Sequence, residues 1–341
     1  MAIKMLVFDY RETEHKFFEE NTFNNYDIKF FDFSLTEETI NMVSEEDRNQ
    51  ASIISVFINS ILTKDVINSF KNLRAIATRS TGYDNINKRA CVHRNIALLN
   101  VQNYGETAVA EFTLGLIIGL ARNIFQSVIS VKNNDYEEKS FVGRDLEKLT
   151  LGVIGTGAIG AAVCKLAQAF GMKIYAYDLV EKSELVERYG VHFTTLDFLV
   201  RNSDIVTLHV PYTGDNYHMF SKHEFSLMKE NSYFINVARG EVVELKYLKE
   251  HLENGKILGA ALDVVACNCE DNCESFAQKL ETSSLECFET SKLVQELIAM
   301  PNVVVTPHIA YESQDAINYI LRETFDGISD FINGGSKNRV F

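Results

Sequence analysis

The run Leu151-Gly152-Val153-Ile154-Gly155-Thr156-Gly157-Ala158-Ile159-Gly160 admits few folds. It is a hydrophobic strand pattern that passes into Gly-x-Gly-x-x-Gly and then into a helical stretch, Ala161–Phe170. Gly155 permits a tight turn, Gly157 lets the backbone approach a pyrophosphate, and Gly160 lets helix and strand pack closely. The amino end of the helix offers unpaired N–H groups to an anion. Gly155, Thr156, Gly157, Ala158, Ile159 and Gly160 are therefore predicted to cradle a dinucleotide. A second strand pattern, Lys173–Asp178, ends on an acid 18 positions after Gly160. A carboxylate there accepts hydrogen bonds from ribose hydroxyls and repels a 2′-phosphate, so Asp178 selects NAD over NADP. The competing reading is a Gly-rich turn in another nucleotide or methyl-donor fold. It leaves unexplained why strand, turn, helix, strand and acid occur in order.

Around this motif, short apolar runs alternate with segments of helical period, which predicts α/β architecture with mostly parallel sheets. The runs are Met5–Phe8, Ile53–Phe57, Ala75–Ala77, Ile174–Tyr177, Ile205–Leu208, Tyr233–Ile235, Ile257–Leu262 and Val303–Val305. At 341 residues the chain is longer than one core usually grows, so two domains are expected, with a boundary near Tyr104. Glu106 to Arg122 reads as a long apolar helix that bridges the domains or buries itself against a partner subunit. Ser34 with Glu37, and Ser221 with Glu224, read as capping boxes.

A formal charge of −14, with no basic stripe, argues against binding nucleic acid or anionic membranes. The longest apolar stretch, Phe112–Ala121, is too short to cross a bilayer. The chain enters a strand pattern directly after Met1, without the layout of a secretion signal. Six cysteines in that setting predict reduced thiols and a cytoplasmic protein.

Three strand ends carry candidate chemistry. Asn236-Val237-Ala238-Arg239 ends a strand at the edge where such sheets bind ligands, which places Arg239 to grip a carboxylate with two parallel hydrogen bonds. Asp263, at the end of Gly259–Val264, is expected to hold the nicotinamide carboxamide. In Val303-Val304-Val305-Thr306-Pro307-His308 a proline stops the strand and sets the direction of His308. Because imidazole titrates near neutral pH, His308 is a candidate proton donor to a carbonyl oxygen.

Together these stretches resemble the D-isomer-specific 2-hydroxyacid dehydrogenases, over nearly the whole chain. The resemblance is carried by Arg79-Ser80-Thr81-Gly82-Tyr83-Asp84-Asn85-Ile86, Tyr104 to Glu111, the Gly155 loop, Ser203 to Pro211, Met228 to Gly240, and Thr306 to Tyr311. It implies two Rossmann-like or flavodoxin-like domains. A cofactor domain, residues 104–307, is inserted into a substrate domain made of 1–103 and 308–341. By the same resemblance Thr81 and Gly82 bind the substrate carboxylate through their amides, and Arg239 orients it. His308 donates the proton, and His209, Pro211, Val237 and Ala238 line the cofactor. Phe57, Tyr104 and Tyr311 line a side-chain pocket closest to lactate-type members, and the protein is a homodimer.

One departure stands out. Most members of the family place a glutamate five positions past the aspartate, where this chain has Asn268. A carboxylate stabilises imidazolium, whereas an amide only orients it. A two-residue insertion would bring Glu270 into that slot, and Glu270 is the preferred partner of His308, with Asn268 its rival and Glu274 a third candidate. Cys267, Cys269 and Cys273, with Cys287 beyond, match no paired Cys-x-x-Cys zinc pattern and read as incidental thiols, so no metal is expected. Pyruvate is the expected substrate. Bulkier acids such as 2-oxoisocaproate or phenylpyruvate are the alternative, and a non-enzymatic NAD-binding scaffold is a further one.

Overall fold

Strands buried on both faces need cover on both faces, and in this chain that requirement builds two parallel sheets. The computed structural model describes residues 2–21, 23–102, 104–136, 141–265 and 285–341, with backbone alone for 285–288. They form two compact units, Met1–Tyr104 with Glu312–Phe341, and Gly105–Tyr311. Tyr104 thus ends the first unit, while His308 and Tyr311 belong to the second.

The first unit contains β1 (Ile3–Val7), β2 (Tyr26–Phe30), β3 (Ile53–Val56), β4 (Ala75–Thr78) and β5 (Ala97–Leu99), in the order β2-β1-β3-β4-β5. Alternate side chains point to opposite faces. Leu6, Phe8, Ile54, Val56, Ile76 and Leu98 build the core on one side. Met5, Val7, Ile53, Ala75, Ala77 and Leu99 build it on the other, where Phe325 and Ile328 of the Gln314–Ile332 helix cover them. The last segment of the chain therefore completes the core of the first unit.

The second unit contains β6 (Thr150–Ile154), β7 (Lys173–Tyr177), β8 (His192–Phe193), β9 (Ile205–Leu208), β10 (Ser232–Asn236), β11 (Ile257–Leu262) and β12 (Val303–Val305). Their order is β12-β11-β10-β9-β6-β7-β8, all parallel. The direction of winding reverses between β6 and β9, which opens a crevice at their carboxyl ends.

The apolar helix runs Glu106–Ala121 and buries Leu114, Leu116, Ile117 and Leu120. It packs within its own unit, against the Ala158–Ala169 helix and strands β10 and β11. On its other side Phe112 and Ile118 are half-buried and Gly115 is exposed, so its own unit does not cover the whole helix. The next helix, Ile124–Lys132, is bent 69° away and has no buried residue. Among the described residues no single helix is long and apolar enough to cross a membrane.

Of the two capping boxes, Ser221 with Glu224 forms, and the Ser221 N–H donates to Glu224 Oε2 at 2.9 Å. Ser34 does not cap a helix. Its hydroxyl donates to Asp9 Oδ1 at 2.6 Å, a tertiary partner that no local pattern reveals.

Candidate active site

The glycine loop is built as its backbone requires. Gly155 has φ +89°, and a Cβ there would stand 2.7 Å from the carbonyl oxygen of His209. A side chain at Gly160 would strike the carbonyl of Gly155, whereas space around Gly157 is open. The helix Ala158–Ala169 starts at the loop, so its first N–H groups have no intrahelical acceptor and face the crevice. At the end of β7, Asp178 Oδ2 accepts from Thr156 N at 2.5 Å and Thr156 Oγ1 at 2.8 Å. Burial works against its charge, but these donors and the N–H groups of Val180 and Leu179 outweigh it and hold the carboxyl below its usual range. Asp178 is thus ionised, and its Oδ1 takes Val180 N at 3.2 Å. The residues present fit a dinucleotide with an unsubstituted ribose.

His209 and Pro211 follow β9 on the opposite lip of the same crevice. Burial pushes the His209 imidazole down to about 3, so it is neutral. Its Nε2 pairs with Thr207 Oγ1 at 3.0 Å, and its Nδ1 is buried without a hydrogen-bond partner among the described residues. Pro211 is exposed and accepts from Asn216 Nδ2 at 2.7 Å, whereas Val237 and Ala238 are buried beyond β10.

Arg239 and His308 are positioned by adjacent strands. Asn236 pairs with Leu262, and Leu262 with Val305, so the three strand ends lie in one row. Arg239 and His308 each lie three positions past that row. Two inter-strand spacings separate their chains, roughly 10 Å, a gap that an arginine and an imidazole can span onto a common small molecule.

Asn236 shapes the Arg239 turn, since its Oδ1 accepts from Ala238 N at 3.0 Å and its Nδ2 donates to Arg239 O at 2.9 Å. Arg239 itself is half-buried. The Asn236 carbonyl in turn accepts from Asp263 N at 2.9 Å.

Asp263 is 1% exposed, and its carboxylate is occupied by its own chain. Oδ1 accepts from Thr306 Oγ1 at 2.5 Å and Ile309 N at 3.0 Å, and Oδ2 from Ala310 N at 3.0 Å. These bonds bracket His308, whose φ of +59° is left-handed. A non-glycine residue held there costs about 1–3 kcal/mol. Each hydrogen bond to a charged group is worth about 1.5–3 kcal/mol, so three of them hold the strained backbone. A carboxylate offers about four acceptor positions, so at most one is left for a carboxamide. The ring of Tyr311 meets that of His308 edge-on, with centroids 6.3 Å apart.

In the first unit the Arg79–Gly82 loop leaves β4. Ser80 Oγ donates to Gly82 O at 2.6 Å, and Asn100 Nδ2 to Thr81 O at 2.9 Å. With both carbonyls engaged, the N–H groups of Thr81 and Gly82 form no hydrogen bond among the described residues, as an anion site needs. Phe57 follows β3 and is buried, and Tyr104 is half-buried.

Glu270, Asn268, Glu274, Cys267, Cys269 and Cys273 lie outside the described residues, as does the side chain of Cys287. Asn236, Thr306 and Asn100 escaped the sequence reading. Asn236 alone carried a signal, an amide at a strand end two residues before Ala238.

Comparison with known proteins adds the following. The family model for "D-isomer specific 2-hydroxyacid dehydrogenase, NAD binding domain" matches residues 114–310. A D-lactate dehydrogenase of Lactiplantibacillus plantarum is 30% identical over 337 residues, 98% of this chain and 97% of the relative. An aromatic 2-oxoacid reductase of Clostridium sporogenes is 33% identical over 290 residues, 84% of this chain and 85% of the relative. The D-lactate dehydrogenase of Aquifex aeolicus, solved with NAD and lactic acid, superposes with a TM-score of 0.84 at 32% identity, covering 98% of each chain.

Proposed function

Because the chain belongs to the D-isomer-specific 2-hydroxyacid dehydrogenases, which are NAD-dependent oxidoreductases, we propose that it reduces pyruvate to D-lactate. The observation that carries this reading is the equal offset of Arg239 and His308 past one row of paired residues, locked by Asp263. Arg239 takes the substrate carboxylate with two parallel hydrogen bonds, which turns the carbonyl oxygen toward His308. The His308 imidazolium donates its proton to that oxygen. Glu270, with Asn268 as rival, keeps the imidazole charged or oriented.

The amides of Thr81 and Gly82 bind the carboxylate, and Phe57, Tyr104 and Tyr311 meet the substrate side chain. Gly157, Ala158 and Ile159 hold the pyrophosphate through backbone N–H groups in the loop shaped by Gly155, Thr156 and Gly160, Asp178 holds the ribose, and His209, Pro211, Val237 and Ala238 line the ring. Asp263 gives any remaining acceptor position to the carboxamide. Bound NADH supplies the two-electron reductant.

A bulkier 2-oxo acid is the second reading, favoured by the similarity to an aromatic 2-oxoacid reductase. A steady-state survey of pyruvate, 4-methyl-2-oxopentanoate and phenylpyruvate, each with NADH and with NADPH, tests both. The highest kcat/KM is expected for pyruvate with NADH, and NADPH is expected to serve at least about tenfold less well. A preference for phenylpyruvate would transfer the assignment to the aromatic acids.

We further propose a homodimer in the cytoplasm. Support for the compartment comes from Cys91 and Cys164, whose thiols are free and buried. The helix Ile124–Lys132 shows water Val128, Ile129 and Val131, an apolar face that a second copy would cover. Ile129→Glu is expected to halve the mass seen by light scattering, and a dimer that survives would move the interface elsewhere.

A further inference from the structure

In the first unit the winding direction reverses between β1 and β3, so the loops after these strands flank a crevice at their carboxyl ends. Asp9, Tyr10 and Arg11 follow β1, and Phe57 follows β3. Asp9, held at φ +53°, ties the two loops together, because its carboxylate accepts from Phe57 N at 2.9 Å and Ser60 Oγ at 2.6 Å.

Two guanidinium groups stand at the Phe57 ring, with Arg79 Cζ 5.6 Å and Arg11 Cζ 5.4 Å from its centroid. Their situations differ. Arg79 is 1% exposed and committed to the interior, donating to Phe8 O at 2.8 Å, Asp9 O at 3.0 Å and Ser55 Oγ at 3.1 Å, with Glu14 at 3.3 Å. The Arg11 side chain is 36% exposed, and its charge is met by a hydrogen-bonded ion pair with Glu312. These partners are 301 positions apart in the chain.

We infer that Arg11 and Glu312 form a charge-neutral gate beside Phe57 that restricts the enzyme to 2-oxo acids with an uncharged side chain. An arginine at the wall of a substrate pocket would otherwise recruit a second carboxylate, since a planar guanidinium matches a carboxylate bidentately. Glu312 fills that role from within the protein and repels the second carboxylate of a dicarboxylic acid. Discrimination here comes from a repulsive element as much as from the apolar ring. The inference deepens the proposed function and rests on its reading of Phe57 as a wall of the side-chain pocket.

The test is kcat/KM, with NADH, for pyruvate, 4-methyl-2-oxopentanoate, oxaloacetate and 2-oxoglutarate. The proteins compared are the wild type, Glu312→Gln, Arg11→Met, the double variant and Phe57→Ala. Ratios between substrates on one preparation do not depend on its folded fraction. In Glu312→Gln the ratio of dicarboxylate to monocarboxylate is expected to rise about tenfold or more, and in the double variant that gain is expected to vanish. A ratio in Glu312→Gln within about twofold of wild type overturns the gate, as does a gain that persists without Arg11. If Phe57→Ala shifts preference between pyruvate and 4-methyl-2-oxopentanoate while Glu312→Gln shifts nothing, only the gate is lost. If Phe57→Ala leaves all ratios unchanged, the pocket reading itself is wrong and the gate falls with it.

Discussion

His308→Ala is expected to lower kcat for pyruvate reduction by about 10²–10⁴-fold, the range for loss of a positioned general acid, with NADH affinity within about twofold of wild type. The binding half of this expectation follows from how the loop is held. The Asp263 carboxylate engages Thr306 Oγ1 and the N–H groups of Ile309 and Ala310, none of which belongs to His308. Removing the imidazole therefore leaves the hydrogen-bonded frame in place. The backbone at position 308 is left-handed, and alanine tolerates that region poorly. His308→Asn supplies the control, because asparagine adopts the conformation readily but donates no proton of comparable acidity. Equal losses in the two variants assign the effect to proton transfer. A loss in alanine alone would assign it to the backbone, and near-normal turnover in both would remove His308 from catalysis.

Arg239→Lys is expected to reduce kcat/KM for pyruvate by about 10–100-fold. Lysine keeps the charge but replaces a planar fork by a single point, so one of two parallel hydrogen bonds to the carboxylate is lost, at about 1.5–3 kcal/mol. The turn is largely spared, since Asn236 bonds Ala238 N and Arg239 O whatever the side chain at 239, and only the bond from the guanidinium to Ala238 O, at 2.8 Å, goes with it. Arg239→Ala removes charge and fork together and is expected to cost about tenfold more than the lysine variant. Initial-rate kinetics with NADH titration in parallel separate the two contributions. If Arg239→Lys behaves as wild type, the carboxylate is held elsewhere.

Much of this protein is legible along the chain. The glycine loop, Asp178, and the strand ends carrying Arg239 and His308 could be read because backbone geometry demands particular residue types at fixed spacings. Parallel strands buried on both faces were visible for the same reason. Other features were hidden. Ser34 has the pattern of a helix cap, but its hydroxyl is taken by Asp9, 25 positions earlier. Asp263 reads as a ligand for the cofactor, yet most of its acceptor capacity goes to Thr306, Ile309 and Ala310. The helix starting at Glu106 reads as a bridge between domains or a surface for a partner, and which of its side chains its own unit buries, Leu114, Leu116, Ile117 and Leu120 among them, appears only in the fold.

Sequence alone determined the local geometry and the residue types that a dinucleotide and a 2-oxo acid require, since those depend on neighbours a few positions away. Only the tertiary structure decided which buried carboxylate is already mostly occupied and which cation is already neutralised. Hydrogen bonds and ion pairs saturate, and the groups that saturate them here come from strands and termini far apart in the chain.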